Sequence, residues 1–325
     1  MRVLLVKLSS LGDVIHNLPV ASDLARARPG VEIDWAVEAP YAEIVALHPL
    51  IKNVFPVPLR NLKKNWRSKG AWRDFMAARA RLSAQRYDTI LDTQGLLKSA
   101  WIARWPEGPV SGYARGSARE PFATRFYDHR FDIPRTSHAV ERNRQLAAHV
   151  FGYQLDTPAR YNIAAPSGAL AWLPRAPFVV FLHATSRTNK MWPESHWISL
   201  GQRLGSRNVN VVLPWGNPAE REMSVRIAAA LPNSIIPPAL SLSDAARLLS
   251  GAAAVVGVDT GLAHLSVALG RPTLGLYVST EPALTGLHGA DNAINLGGGN
   301  ESSTATPGVE LVWQTLESRL GGAQR

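Results

Sequence analysis

Short apolar runs alternate with longer amphipathic segments along the first half of the chain. The runs at 2–8, 31–37, 53–57 and 88–92 are each followed by residues with helical spacing, and 138–151 adds a further helix. Strands of a parallel sheet are covered on both faces by their connecting helices, so they lose the in–out alternation of a half-exposed sheet. This pattern predicts a parallel sheet flanked by helices, with a less regular region at 111–137.

The alternation stops in a proline-rich stretch and then starts again. Residues 155–177 contain four prolines and little periodicity, which is typical of a linker. Strands are then predicted at 178–184, 209–214, 253–259 and 272–277, the last of them being the final clear strand, and a closing helix at about 308–320. The chain is therefore predicted to be an α/β protein with two Rossmann-like, doubly wound domains, residues 1–160 and 161–325.

The amino-acid composition indicates the class of protein and its location in the cell. The 325 residues are 46% hydrophobic and include no cysteine, which indicates globular cores without disulfides or thiolate metal sites. The N-terminus lacks the long apolar core of a signal peptide, and no run reaches the roughly 20 apolar residues that span a bilayer. A cytoplasmic location is the resulting expectation.

Positive charge is concentrated in the first half. The net charge is +10, of which residues 1–160 carry +9, and the block 60–86 holds nine basic residues against one acid. Such a block attracts anionic partners such as phospholipid, nucleic acid or an acidic sugar lipid, although it is also typical of a solvated helix face.

In the first half, candidate chemistry lies in the sequence SSLGD, which follows the first strand. Ligands of open α/β sheets bind beyond the carboxyl ends of the strands, so Asp13 is expected at the mouth of this sheet. Ser10 keeps the loop polar, and Gly12 is expected to permit a tight turn. The simpler interpretation makes Asp13 an N-terminal cap of the next helix.

Three segments of the second half also follow predicted strands. The candidates are Asp259, Thr260, Gly261, Leu262 and His264 in VDTGLAH, Thr185, Ser186 and Lys190 in HATSRTNK, and Glu220 in LPWGNPAE. A helix start and a lysine suit a diphosphate, and carboxylates suit sugar hydroxyls. The simpler alternatives are an aspartate cap, a core histidine, a surface lysine and a glutamate that complements a helix dipole. Neither a G-x-G-x-x-G fingerprint nor a P-loop is present, which disfavours a nicotinamide dehydrogenase and nucleotide hydrolysis.

The motifs resemble, in order and spacing, those of the bacterial ADP-heptose:lipopolysaccharide heptosyltransferases, specifically the heptosyltransferase I class. The matching segments are VLLVKLSSLGDVIHNLP, LDTQGLLKSA, SAREP, HAVERN, VVFLHATSRTNKMWPESHW, LPWGNPAERE and VDTGLAHLSVALGRP. The resemblance implies a GT-B architecture with two domains facing across a cleft and a final helix that folds back toward the first domain. It also implies an inverting, metal-independent transfer of heptose from ADP-heptose to the first Kdo (ketodeoxyoctonate) of Kdo-lipid A, without any cofactor.

The resemblance also assigns roles to residues. Asp13 corresponds to the catalytic base, whose pKa closure of the cleft is expected to raise by desolvation. Lys190 corresponds to the lysine that stabilises the leaving ADP. The other donor-binding residues are Thr185, Ser186, Glu220, Leu240, Asp259, Thr260, Gly261, Leu262 and His264, with Leu240 where the family often has methionine. Thr188 and Asn189 stand where the family has acids.

On the acceptor side, the resemblance points to the basic block. The acceptor-binding residues are Ser10, Gly12, Arg60, Lys63, Lys64 and Arg119. These roles would explain the positive charge, because lipid A phosphates, Kdo carboxylates and the inner-membrane surface are all anionic. A monomer at the cytoplasmic face of the inner membrane is the expectation that follows.

Two other functions remain open from the sequence. Heptosyltransferase II, which adds the next heptose, would share the fold and the donor, and acceptor preference would separate the two. A non-catalytic nucleic-acid-binding protein would explain the high pI, but no binding motif appears and the second half is nearly neutral.

Overall fold

The computed structural model describes residues 1–173, 177–185, 188–298 and 306–320. The chain divides into two compact units, Met1–Ile163 and Ala164–Arg325. Each unit contains one six-stranded sheet in which the strands pair in parallel, as expected for strands connected by crossover helices. The predicted α/β fold class of two Rossmann-like domains is confirmed.

The first unit contains six strands and seven α-helices. Its strands are β1 (Arg2–Val6), β2 (Glu32–Glu38), β3 (Ile51–Val57), β4 (Thr89–Asp92), β5 (Val110–Tyr113) and β6 (His129–Phe131). Its helices are α1 (Leu11–Ile15), α2 (Leu18–Ala27), α3 (Ala42–Val45), α4 (Leu59–Lys64), α5 (Lys69–Ser83), α6 (Leu97–Ala103) and α7 (Ala139–Phe151). Short 3-10 helices cover Ala39–Tyr41 and Pro121–Phe126.

The second unit repeats this architecture. Its strands are β7 (Phe178–Leu182), β8 (Asn210–Val212), β9 (Ser234–Ile235), β10 (Ala254–Val258), β11 (Thr273–Tyr277) and β12 (Ala293–Gly297). Its helices are α8 (Glu194–Gly205), α9 (Pro218–Ala229), α10 (Leu242–Gly251), α11 (Gly261–Ala268), α12 (Pro282–Thr285) and α13 (Val309–Leu320). A 3-10 turn covers Thr188–Lys190.

The strand order locates the expected ligand sites. The first sheet runs β3-β2-β1-β4-β5-β6, and the second runs β12-β11-β10-β7-β8-β9, which is the same order viewed from the other edge. In both sheets successive strands are added first toward one edge and then toward the other, and the order switches between β1 and β4 or between β7 and β10. A crevice opens at such a switch point beyond the strands' carboxyl ends, and ligands of doubly wound sheets bind there.

Each unit has its own apolar core. In the first unit, Leu4, Val6 and Ile90 lie fully buried beneath the helices. In the second, Trp197 of helix α8 and Trp192, which precedes that helix, are buried with their ring centroids 4.9 Å apart. Helix α13 packs on α8, and its two buried residues, Val312 and Leu316, belong to the same core as these tryptophans.

Several elements differ from the sequence expectation. The helical pattern after β1 is two helices, because Pro19 has no N–H to continue the first of them and sits in the opening turn of α2. The region 111–137 contains β5 and β6, and β11 is not the last strand, because β12 follows it. Strands β6, β9 and β12 are partly exposed, and β6 and β9 are only two or three residues long, so they lack the buried apolar run that marks a central strand.

No helix in the described part of the chain is long and apolar enough to cross a membrane.

Candidate functional site

Asp13 lies just after β1, in the first turn of helix α1. Its Oδ2 accepts hydrogen bonds from the Ser10 N–H at 3.0 Å and from the Ser10 hydroxyl at 3.3 Å. Ser10 is therefore the N-cap of α1, and Asp13 is the third helical residue of a capping box instead of the N-cap that the simpler interpretation predicted. The two hydrogen bonds fix one carboxylate oxygen. Gly12 differs from expectation: it lies inside α1 and does not adopt a positive φ, so it is not a left-handed turn residue.

The second oxygen of Asp13 faces positive charge. The Oδ1 atom lies 3.4 Å from Nη2 of Arg119, and the Asp13 side chain is 17% exposed. Burial raises the pKa of this carboxyl, but the charges of Lys7 and Arg119 and the hydrogen bonds from Ser10 outweigh burial and hold the pKa below its usual value. Asp13 is therefore ionised at neutral pH in this structure, and a rise of its pKa on closure of the cleft stays a prediction.

The three basic residues predicted to bind an anion are exposed on or near helix α4. Lys63 and Lys64 lie in its last turn. The Arg60 backbone N–H donates to Glu38 at 2.5 Å, and its guanidinium stands 5.1 Å from the centre of the Tyr41 ring. These side chains are available to an anionic ligand.

In the second unit, a pocket of about 230 Å³ opens beyond the carboxyl ends of β7, β8 and β10. It is lined by Leu182, Ala184, Thr185, Pro214, Trp215, Gly216, Glu220, Leu240, Ser241, Leu242, Ala245, Thr260 and Leu262. Five of the predicted donor-binding residues are in this set. The apolar wall with a few polar groups at one end suits a flat ring carrying a polar substituent.

Lys190 and Asp259 form an ion pair beside this pocket. The Nζ of Lys190 is 2.5 Å from Oδ2 of Asp259, and the two side chains are 18% and 14% exposed. Thr280 donates to the same carboxylate oxygen at 3.1 Å, and Thr185 donates to the Asp259 carbonyl at 3.2 Å. Lys190 is thus not a free surface lysine.

The start of helix α11 adjoins this ion pair. The N-cap is Thr260, without a side-chain capping bond, and Gly261 is the first helical residue. Asp259 is therefore not the cap, which removes the simpler interpretation of that carboxylate. His264 is buried one turn later, with Nε2 4.0 Å from Oδ1 of Asp259.

Glu220 has a local structural role as well as a place in the pocket. Its carboxylate accepts from the Gly216 N–H and from the Asn217 side-chain amide, both at 2.7 Å. Asn217 in turn caps α9 by accepting from the Glu220 N–H at 3.0 Å. This reciprocal pairing holds the Glu220 carboxylate at the edge of the pocket.

Two sequence predictions fall where the structure gives no description. Ser186 lies outside the described residues, and so does the side chain of Thr188. Among the residues that are described, no group of three or more His, Asp or Glu side chains is arranged to hold a metal ion.

Comparison with known proteins identifies the family. A family model described as glycosyltransferase family 9 (heptosyltransferase) matches residues 75–308. The chain belongs to this family. The heptosyltransferase is 49% identical to lipopolysaccharide heptosyltransferase 1 of Pseudomonas aeruginosa over 294 residues, which cover 89% of this chain and 82% of that protein.

Solved structures agree with this assignment. Escherichia coli heptosyltransferase WaaC with ADP is similar with a TM-score of 0.88 and 40% identity, covering 98% of this chain and 100% of that one. The same enzyme with ADP-2-deoxy-2-fluoro heptose gives 0.85 and 39%, covering 98% and 99%. By contrast, lipopolysaccharide heptosyltransferase 2 of E. coli is 22% identical over 318 residues, 88% of this chain and 85% of that protein. The predicted heptosyltransferase resemblance and GT-B class are confirmed.

Sequence analysis missed several residues of this heptosyltransferase's candidate sites. Trp215 and Ser241 line the second-unit pocket, and Trp215 lies within the motif LPWGNPAE. In the first unit, Lys98 of the motif LDTQGLLKSA donates to the Ser9 hydroxyl at 2.7 Å. Lys7 is buried near Asp13. The motifs contain all of these except Ser241, but only the folded chain distinguishes site residues from their neighbours.

Proposed function

We propose that the protein transfers L-glycero-D-manno-heptose from ADP-heptose to the first Kdo of Kdo-lipid A, with inversion at the anomeric carbon. The observation that carries this proposal is the Lys190–Asp259 pair beside an apolar pocket at the switch point of the second sheet. That site offers an apolar wall, a cation and a carboxylate, which are the groups a nucleotide-sugar requires. Its solved relative holds ADP-2-deoxy-2-fluoro heptose.

The second domain, residues 161–325, is the proposed donor domain. The adenine would lie in the apolar part of the pocket near Leu240, with the ribose hydroxyls donating to Glu220. The diphosphate would replace Asp259 as the partner of Lys190. It would also accept hydrogen bonds from the first N–H groups of α11, where the helix dipole favours negative charge. Released from Lys190, Asp259 accepts hydrogen bonds from the heptose hydroxyls, and Ser186 is proposed as a further phosphate contact.

The first domain, residues 1–160, is the proposed acceptor domain. Asp13 takes the proton of the Kdo hydroxyl as the hydroxyl oxygen forms its bond to the anomeric carbon. The bond between that carbon and the phosphate oxygen breaks on the opposite face, and ADP leaves with its electron pair beside the Lys190 charge. In this scheme Lys190 supplies the charge stabilisation, so the reaction requires neither a metal nor a cofactor.

The anionic acceptor and its membrane account for the basic surface. Arg119, Arg60, Lys63 and Lys64 are proposed to bind the Kdo carboxylates and lipid A phosphates. Helices α4 to α6 also expose large apolar side chains, which we call the aromatic patch: Trp66, Trp72, Met76 and Trp101. A monomer bound peripherally at the cytoplasmic face of the inner membrane would place this patch at the lipid interface.

The test is a transfer assay with ADP-heptose and Kdo-lipid A, with and without EDTA, followed by mass spectrometry of the lipid product. We expect EDTA-resistant transfer by the wild type. We expect Asp13→Ala to lower turnover by about a hundredfold or more, the usual contribution of a general base, while ADP still binds.

Two results would overturn parts of this proposal. Near-normal turnover of Asp13→Ala would leave Asp13 as a helix cap only. Transfer only to an acceptor that already carries one heptose would assign the protein to the second step, that of heptosyltransferase II.

A further inference from the structure

A lysine of the first matching motif, to which the sequence assigned no role, lies buried at the carboxyl end of β1. Lys7 is 5% exposed, and its Nζ donates to the Thr93 carbonyl at 2.8 Å and to Oδ1 of Asn143 at 3.3 Å. Both acceptors are uncharged, so neither neutralises the positive charge of the buried ammonium. Burying a cation in this way is costly, and burial lowers the pKa of Lys7 to about 8.

Lys7 and Asp13 line the same small, partly open cavity. Its wall also includes Thr93, Gln94, Tyr113, Arg119, Ala139, Arg142 and Asn143. Asn143 accepts from both Lys7 and the Tyr113 hydroxyl, the latter at 3.0 Å, so its amide oxygen anchors one side of the cavity. The ammonium therefore has a fixed position in the wall of the cavity that Asp13 also lines.

The other ionisable groups around this pair come from several elements. They are Arg119 from the loop after β5, Arg142 from α7, Lys98 from α6, Asp92 from the end of β4, Tyr113 from β5 and Tyr41 from the turn before α3. Arg119 is 45% exposed, so solvent screens its charge and an incoming anion can draw it away. Of the cations in this set, Lys7 is the buried one, and two hydrogen bonds fix its ammonium.

We propose that Lys7 is a positioning residue that acts across this cavity on Asp13 and keeps the carboxylate ionised and ready to accept a proton. Its charge persists when an acceptor engages Arg119. It also favours release of the proton from Asp13 after each transfer, which restores the base. The catalytic part of this inference rests on the proposed function, whereas the electrostatic part concerns only the folded first unit.

The direct test measures the titration of Asp13 itself. Protein labelled with ¹³C at the aspartate carboxyl is titrated by NMR, and Asp13→Asn identifies the resonance. Lys7→Met and Lys7→Gln remove the charge at similar side-chain length, and Lys7→Arg retains it. We expect the Asp13 midpoint to rise by about one pH unit in both neutral variants, because a nearby opposite charge lowers a carboxyl pKa by about one to three units.

The control variant is Lys52→Met, which removes an exposed lysine paired with Glu32 at 2.5 Å near the amino ends of the strands. It should leave the Asp13 midpoint unchanged, as should Lys7→Arg. Circular dichroism and the dispersion of the first unit's NMR resonances report whether each variant is folded. An unchanged midpoint in folded Lys7→Met or Lys7→Gln would overturn the proposal.

Activity then provides an independent measurement. In the transfer assay, the acidic limb of the pH profile of kcat should move to higher pH in the neutral variants and return in Lys7→Arg, with little change in the KM for ADP-heptose. A purely structural role would lower activity at all pH values without moving the limb. If the wild type transfers no heptose while the NMR midpoint still shifts, the proposed function fails but the coupling of Lys7 to Asp13 stands.

Discussion

At the scale of single residues, the two candidate sites use charge in different ways. Asp13 is held ionised by cations from its own unit, so it is a weak base that is always available. Lys190 and Asp259 form an ion pair with each other, so neither charge is available to another group until a ligand separates them. A diphosphate can do this, because it offers Lys190 more negative charge than one carboxylate does.

Lys190 is the one lysine in residues 161–325, and its removal should weaken binding of the ADP part of the donor. We expect Lys190→Ala to weaken ADP binding by about tenfold to a hundredfold, the usual value of a hydrogen bond to a charged group. Isothermal titration calorimetry with ADP measures this effect. Arg226→Ala is the control, because Arg226 pairs with Glu194 on the exposed surface and should leave the affinity unchanged. Equal affinities in all three proteins would remove Lys190 from the donor site.

At the scale of elements, the loops after parallel strands carry the site, and helix caps fix their positions. The N-cap of α9 shows this, because Asn217 both caps the helix and donates to the Glu220 carboxylate. The cap of α9 and the position of the Glu220 carboxylate therefore depend on the same side chain.

Substitution of this cap should have two effects. Asn217→Ala is expected to lower the free energy of unfolding by about 1 kcal/mol and also to weaken ADP binding, because Glu220 loses one of its two fixing bonds. Denaturant unfolding and calorimetry measure the two effects. Ser68→Ala removes the N-cap of α5 in the first unit, where Ser68 accepts from the Ala71 N–H. It should cost stability but leave ADP affinity intact. If Asn217→Ala changes stability alone, the proposed contact of Glu220 with the ribose does not depend on the cap.

At the scale of the whole molecule, the first unit combines charge with exposed apolar surface. Trp72 and Trp101 both pack on Phe75, with ring centroids 6.1 Å apart in each pair, so two members of the aromatic patch share one support. Basic side chains belong to the same segment: the Arg67 guanidinium stands 4.6 Å from the centre of the Trp66 ring, and Lys63 and Lys64 are exposed at the end of α4. Aromatic rings beside lysine and arginine are typical of surfaces that meet an anionic bilayer.

This surface should bind lipid in a salt-dependent manner. We expect the protein to sediment with vesicles containing phosphatidylglycerol but weakly with pure phosphatidylcholine, and binding should fall as salt rises. The double substitution Trp72→Ser and Trp101→Ser should reduce binding severalfold. Leu311→Ser, which changes a similarly exposed apolar residue on α13, should not. Binding that ignores lipid charge, or that survives loss of both tryptophans, would contradict the membrane role of the patch.

Much of this molecule follows from local sequence. Buried strands such as β1 and β10 are continuous apolar runs, so their pattern identifies them, and the motifs that follow them identify the family. Asp13, Lys190 and Asp259 could be chosen as candidates because each comes just after a predicted strand. The edge strands β6, β9 and β12 could not be found in this way, because their residues are half exposed and their pairing partners are distant in sequence.

The tertiary structure decided what depends on neighbours brought together by folding. Burial and charge at Asp13 come from Lys7 and Arg119, which lie six and 106 positions away, so the sequence could not give the direction of its pKa. The Lys190–Asp259 pair joins residues 69 positions apart, and the pocket at β7 and β10 exists only because the sheet reverses its winding there. Sequence determined which side chains are present at the strand ends. Folding determined which of them share a low-dielectric space, and electrostatic interactions depend on that distance and burial.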